Sequence, residues 1–321
     1  MRTLSQPAPR LSFGRILRYL IAVAAIALAI FLLYRTFSQY SRQELVDAVA
    51  SVSPARLIAA LGFSACSYLA LTGFDWLALR YAGHPLAYRR AALASFTSLS
   101  LGHNIGLAAL SSGAIRYRFY ARWGLGAEEV AKVILFCGLT VGLGLSVLGG
   151  IGLFLAPDVA LQVIGVPRAT IFLVAAVCLA WPTAYVLLAA VLGGKGLHLR
   201  GHRLTMPCWK LALAQIVVGT VNFAFVAAAL HQAIAAISDV PYFEVATVYV
   251  SANVATLITH APGGLGVIES VVLFLIPQAE LIGAVLVFRF VYFLLPLLLG
   301  SISLFLSEML LSRTPRSSDP S

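Results

Sequence analysis

The chain has 321 residues, 60% of them hydrophobic and 11% charged, with a mean hydropathy of +0.94. Soluble domains carry about 25% charged residues, so a solvated globular surface is excluded. A formal charge of +10 in so apolar a chain points to basic loops beside anionic lipid, not to nucleic acid.

Apolar stretches longer than the roughly 20 residues that cross a bilayer recur along the chain. A first span covers 16–34, long for a signal-peptide core and without a small-residue cleavage site after it. Residues 43–52 put Leu45, Val46, Val49 and Val52 on one helical face, the pattern of a short interfacial helix. Ser53-Pro54 reads as N-cap and first helical residue of span 2, 54–80. A stretch containing Gly, Ser and Asn, 91–115, is too broken for a clean span. Span 3 (127–156), span 4 (169–193) and span 5 (208–236) follow, then a second broken stretch, 242–276, and a last span, 279–309. The expected fold is an all-α polytopic membrane protein with six long transmembrane helices and two broken re-entrant hairpins, or eight spans if the hairpins are counted. It forms one integral domain over 1–312 with a short cytoplasmic tail, 313–321.

Positive charge orients these spans. Arg2, Arg10, Arg15 and Arg18 precede span 1 and place the N-terminus inside. Of the 22 Lys and Arg, Arg35, Arg42, Arg56 and Arg168 fall outside and Arg289 falls within a span; the rest are inside or at the inner boundary. This partition holds if each broken stretch leaves and returns on one side, the first entered from the cytoplasm and the second from outside. Irregular backbone at membrane depth is tolerated where it is buried in protein or lines a wet cavity.

Two decapeptides echo each other, AEEVAKVILF (127–136) and AELIGAVLVF (279–288), each opening a span directly after a broken stretch. The unit of span, broken hairpin and span therefore occurs twice, over about 54–156 and 208–309, and the charge pattern runs the two units in opposite directions. Inverted repeats with interrupted helices are the architecture of alternating-access transporters.

The second interruption, THAPGGLGVIE (259–269), concentrates candidate site residues. Pro262 removes a backbone donor, and Gly263, Gly264 and Gly266 permit positive φ. Amides and carbonyls are thereby freed to line a ligand site; close packing by small residues is the alternative, and it better suits Gly138, Gly142 and Gly144 of span 3. His260 and Glu269 flank this turn, and His103, Asn104 and Gly106 are the counterpart in the first hairpin. Charges inside spans cost about 2.5–3.5 kcal/mol on insertion and mark function. Arg289 lies roughly 15 Å into the last span at the helix rise per residue. Its guanidinium suits a phosphodiester, or an ion pair with Asp75 or Glu269. Asp75, near the inner end of span 2, suits a salt bridge with Arg116 or Arg118, or a cationic headgroup. Arg116, Arg118 and Arg122, set among aromatics, suit anionic headgroups at the inner surface as well as the ordinary positive-inside role.

Cys66, Cys137, Cys178 and Cys208 have no metal-ligand spacing, and the three that lie in apolar spans read as packing residues. His198 and His202 share a basic loop without a carboxylate partner, and no P-loop motif is present. No metal or cofactor is expected.

SSGAIRYRFYARWGL (111–125) followed by AEEVAKVILFCGLT, then HAPGGLGVIE (260–269) and RFVYFLLPLLLG (289–300), resembles the transmembrane flippase domain of the lysylphosphatidylglycerol synthase family. Bifunctional members add a cytosolic aminoacyltransferase domain, whose product the membrane portion moves to the outer leaflet. The resemblance implies a stand-alone membrane member without that domain. It would be a non-enzymatic lipid translocator in a bacterial cytoplasmic membrane, with phospholipid as partner and a separate lipid-modifying synthase as a further one. The competing expectations are an intramembrane lipid- or isoprenoid-modifying enzyme using His103, His260 and Glu269, and a non-transporting scaffold for a synthase.

Overall fold

A computed structural model describes residues 51–105, 108–199, 202–276 and 281–311, together with Gln43, Val46 and Ala50, which are helical. Span 1, most of the interfacial helix, Gly106 and the tail 313–321 lie outside the described residues. The elements run α1 (Pro54–Tyr81), α2 (Tyr88–Ile105), α3 (Ala108–Arg122), α4 (Ala127–Leu155), α5 (Asp158–Ile164) and α6 (Arg168–Leu192). A two-stranded hairpin follows, β1 (Gly196–Leu199) and β2 (His202–Thr205), then α7 (Trp209–Ile234), α8 (Tyr242–Thr259) and a 3-10 turn, Pro262–Gly264. The chain continues through α9 (Val267–Leu275), α10 (Leu281–Arg289), a π-helical turn, Phe290–Leu294, and α11 (Leu295–Leu311).

Among the described residues, five helices are long and apolar enough to cross a membrane: α1, α4, α6, α7 and the continuous last helix from Leu281. Each falls where apolar length places spans 2 to 5 and the last span, with ends within two residues of expectation. Ser53 holds the N-cap position of α1 with Pro54 behind it, though its hydroxyl makes no capping bond. At the start of α4, Glu129 Oε2 accepts the Gly126 N–H at 2.7 Å, filling one of the amides that every helix start leaves open. The last helix is the most buried of the five, 67% of its apolar window against 17% for α6. It runs through the centre while α6 lies at the edge, presenting Leu173, Val177, Leu187 and Val191 outward.

The broken stretches are helical pairs. Ser111 Oγ donates to the Gly102 carbonyl at 3.3 Å, and a methyl group built on Gly102 would sit 2.7 Å from Ser112 Cβ. Residues ten apart in one helix would be about 15 Å apart, so the chain reverses between α2 and α3. In the second stretch α9 packs back on α8, and α5 touches both. The order long helix, broken pair, long helix thus occurs twice, as α1 to α4 and as α7 to α11.

The first helices of the two units, α1 and α7, pack along each other, and α7 also packs on α4. At the α4–α7 crossing a Cβ on Gly144 would lie 2.6 Å from the Gly219 carbonyl oxygen, and one on Gly219 would lie 2.6 Å from the Thr140 oxygen. Backbones approach here as only glycine allows. Gly144 therefore serves close packing as expected, but Gly138 has open space around it and Gly142 meets only Trp181, at 3.9 Å. Gly144→Leu is expected to lower stability by about 3 kcal/mol, since backbone cannot yield to the added atoms, while Gly138→Leu leaves the melting temperature in detergent unchanged.

The β-hairpin was not expected from a stretch that reads as a basic loop. Its antiparallel register pairs Gly196 with Thr205, and the Thr205 carbonyl accepts the Tyr81 hydroxyl at 2.8 Å. The basic link 195–210 is thereby tied to the end of α1 that carries Arg80.

Candidate functional site where three broken helices meet

Two irregular backbone segments, the Pro262–Gly264 turn and the π turn of the last helix, meet the C-terminal end of α2 inside the protein. Each of the two frees polar backbone groups that apolar surroundings cannot satisfy.

The turn is built as its glycines require. Gly263, Gly264 and Gly266 have φ of 58°, 61° and 77°, the left-handed region, and His260 caps α8 at φ 54°. His260 is the one non-glycine residue with positive φ among those described. The carbonyls that the turn releases point at Arg289: Nη1 donates to the Gly263 oxygen at 2.8 Å and Nη2 to the Gly264 oxygen at 2.7 Å. The same guanidinium clasps Glu269 in bidentate fashion, Nη2 to Oε2 at 2.6 Å and Nε to Oε1. Arg289 is 3% exposed and Glu269 14%. Of the ion pairs open to Arg289, the one with Glu269 is formed, and a planar fork alone can hold two carbonyls and a carboxylate together.

The π turn has its own accounting. The Leu295 N–H bonds the Phe290 carbonyl, five residues back, which leaves the Val291 carbonyl free. Pro296 has no N–H for the Tyr292 carbonyl. Side chains from elsewhere fill these places: Ser64 Oγ donates to the Val291 oxygen at 3.2 Å and the Tyr68 hydroxyl to the Tyr292 oxygen at 3.3 Å. Asn104 Nδ2, from the tip of α2, donates to the Phe293 oxygen at 3.3 Å. Ser67, one turn of α1 away, bonds Asn222 of α7 at 2.7 Å.

Asn104, Pro262, Gly263, Leu265, Arg289, Phe293 and Leu294 enclose a cavity of about 10 Å³, room for one water-sized group. A methyl group on Gly263 would lie 3.6 Å from Asn104 Oδ1, so the two hairpin tips touch. In this conformation the site is closed to a headgroup. His103 is adjacent, with Nδ1 buried and bonded to no described residue, whereas His260 is exposed with Nδ1 against the Ile258 carbonyl, at 3.0 Å. No hydrogen bond joins His103, His260 and Glu269 among the described residues.

Asp75 and Arg116 form a second, separate centre. Asp75 is fully buried and Arg116 3% exposed. Nε and Nη2 of Arg116 donate to the two carboxylate oxygens at 2.8 Å each, Nη1 to Ser112 Oγ at 3.0 Å, and the Tyr120 hydroxyl donates to Asp75 at 2.7 Å. This bridge fastens α3 to α1. Arg118 instead meets Glu308 of α11, which also takes Arg122. Sequence reasoning missed Ser112, Tyr120, Glu308 and the π turn; only the last had a visible signal, Pro296.

Long apolar helices around converging backbone breaks and buried ion pairs define a multi-pass helical membrane protein with an internal polar site. The chain belongs to the family described as the lysylphosphatidylglycerol synthase TM region, whose family model matches residues 19–300. It is 30% identical over 305 residues to "Uncharacterized protein slr0712" of Synechocystis sp., covering 92% of this chain and 94% of that one. It is likewise 30% identical over 320 residues to "Inner membrane protein YbhN" of Escherichia coli, covering 95% of each.

Proposed function

We propose that the protein is a non-enzymatic lipid translocator that moves a phospholipid between the leaflets of a bacterial inner membrane, with aminoacylated phospholipid among its candidate cargoes. One observation carries this reading: two helix-pair tips and a π turn meet at a buried arginine in a protein otherwise built of apolar helices. The two pairs are read as re-entrant hairpins in inverted repeats, entered from opposite faces. Support comes from the repeated element order and from helix ends and links that share a face. Tyr81 bonds Thr205, and His84 Nδ1 lies 3.3 Å from Glu129. These contacts gather Arg80 and the basic link 195–210 at one end, which by the positive-inside rule is cytoplasmic. The same reading assigns both termini to the cytoplasm. Where the cargo is aminoacylated, a separate synthase is the partner that supplies it.

Arg289 and Asn104 are the groups for the phosphate, Glu269 for a cationic substituent, and the lipid tails stay in the bilayer. Because the cavity holds only a water-sized group, transport requires the tips to part, and rocking of one repeat against the other provides that. A staple across the tips tests this. A Cβ on Gly263 would lie 3.9 Å from Asn104 Cα, within disulfide reach. Asn104→Cys with Gly263→Cys, in a chain whose four native cysteines are alanine, is reconstituted in liposomes with headgroup-labelled phospholipids. Oxidation is expected to slow leaflet exchange at least tenfold relative to the same variant kept reduced, which itself lacks the Asn104 amide and carries a side chain at a left-handed position, and reductant to reverse that slowing. If wild type exchanges no faster than empty liposomes, translocation is rejected; if the oxidised staple exchanges normally, the tips are not the gate.

A further inference from the structure

A second feature lies at the basic end, away from the Arg289 site. Ala87, Arg89, Arg90, Leu93 and Trp123 line an open hollow of about 530 Å³, within the range of small-ligand sites. Two of its walls are cationic. Arg89 and Arg90 stand exposed in the first turn of α2 and make no salt bridge with any described residue. The Arg90 guanidinium lies 5.7 Å from the Trp123 ring centroid, and that ring is braced by Phe119 and Tyr120 at 5.8 and 6.1 Å. The apolar walls are Leu93 and the indole.

The neighbouring charges do not balance. Arg118 and Arg122 share one carboxylate, Glu308, which is 4% exposed. Nη1 of each arginine is buried and bonds no described residue, and a buried guanidinium nitrogen in that state calls for an acceptor. The cluster adjoins the hollow through Trp123, next in sequence to Arg122. On the other side, α2 and α11 run antiparallel, with Ser100 against Gly300 and Thr97 bonded to Ser303 at 3.0 Å. One further turn along that register brings Glu308 level with the first turns of α2. Arg89 and Arg90 thus line an apolar-walled hollow, and the Arg118–Arg122–Glu308 cluster lies behind it at the contact of α3 with α11.

We infer that this hollow is a binding site for the phosphate of an anionic phospholipid, separate from the Arg289 site. The guanidinium groups of Arg89 and Arg90, in no salt bridge with a described residue, select a phosphodiester. The indole and Leu93 give the acyl-glycerol end an apolar wall that a soluble phosphate does not need. The site takes lipid from the inner leaflet; that assignment rests on the orientation proposed above, whereas binding itself does not depend on translocation.

Equilibrium binding separates the two. The purified full chain is titrated with phosphatidylglycerol or phosphatidylcholine in detergent and bound lipid is counted by native mass spectrometry. Wild type is expected to prefer phosphatidylglycerol. Arg89→Gln with Arg90→Gln weakens that binding about 30-fold, since surface cations contribute roughly fivefold each, and leaves phosphatidylcholine unchanged. Both arginines are exposed, so the fold is not at stake, and Arg168→Gln at the opposite link serves as the control without effect. Unchanged phosphatidylglycerol preference in the double variant overturns the site. Competition by inorganic phosphate at the concentration where phosphatidylglycerol acts overturns its assignment to lipid. A chain that binds in this way but exchanges no lipid between leaflets refutes the translocator alone.

Discussion

Asp75→Ala is expected to destabilise the folded protein by about 3–5 kcal/mol, the range for removing one partner of a buried ion pair. The reason lies in what stays behind. Arg116 is 3% exposed, and three of its nitrogens are committed, two of them to Asp75. Without the carboxylate a guanidinium remains buried with only Ser112 to bond, and the Tyr120 hydroxyl loses its acceptor as well. Arg116→Met is expected to be equally costly, because it strands the carboxylate. Asp75→Leu combined with Arg116→Met should regain most of the loss, as apolar replacements of a whole buried pair often do. Thermal unfolding in detergent reads all three. If Asp75→Ala melts with wild type, the bridge contributes no stability and α3 is held to α1 by packing alone.

That pairing also marks how far sequence carries. Apolar length placed α1, α4, α6, α7 and the last helix, because a bilayer fixes how long such a run must be. The left-handed glycines after Pro262 were legible for a similarly local reason: a proline followed by glycines leaves the backbone little else to do. Ion-pair partners are not local. Asp75 and Arg116 are 41 residues apart, Arg122 and Glu308 186, and several cations offered equal chemical sense for each carboxylate. Glu308, at the end of an apolar run, carried no expectation, while the fold puts it 4% exposed between two arginines. The π turn was readable in part, since Pro296 must orphan the carbonyl four residues back. Which side chains would cover it, Ser64, Tyr68 and Asn104, depended on packing. The β-hairpin was missed because a charged link between spans was read for its charge and not for its alternation of leucine with polar residues.

The largest functional effect is expected at Arg289, and two substitutions separate its structural role from the binding role proposed for it. Arg289→Lys keeps the charge but offers a point donor in place of a fork. It cannot reach the Gly263 and Gly264 carbonyls and both Glu269 oxygens at once, so the turn loosens and leaflet exchange falls at least tenfold. Glu269→Gln acts in the opposite sense. The Gly263 and Gly264 bonds survive, but the guanidinium is released from its competing anion, and a phosphate replaces that carboxylate more readily. Phospholipid binding at this site is expected to tighten about tenfold, roughly 1.4 kcal/mol, while exchange slows because the lipid is released less easily. Opposite changes in affinity and rate are the signature of a group that passes between an internal and a cargo anion. If both variants instead exchange lipid at wild-type rates once normalised to folded protein, Arg289 only stitches the turn and the phosphate is held elsewhere.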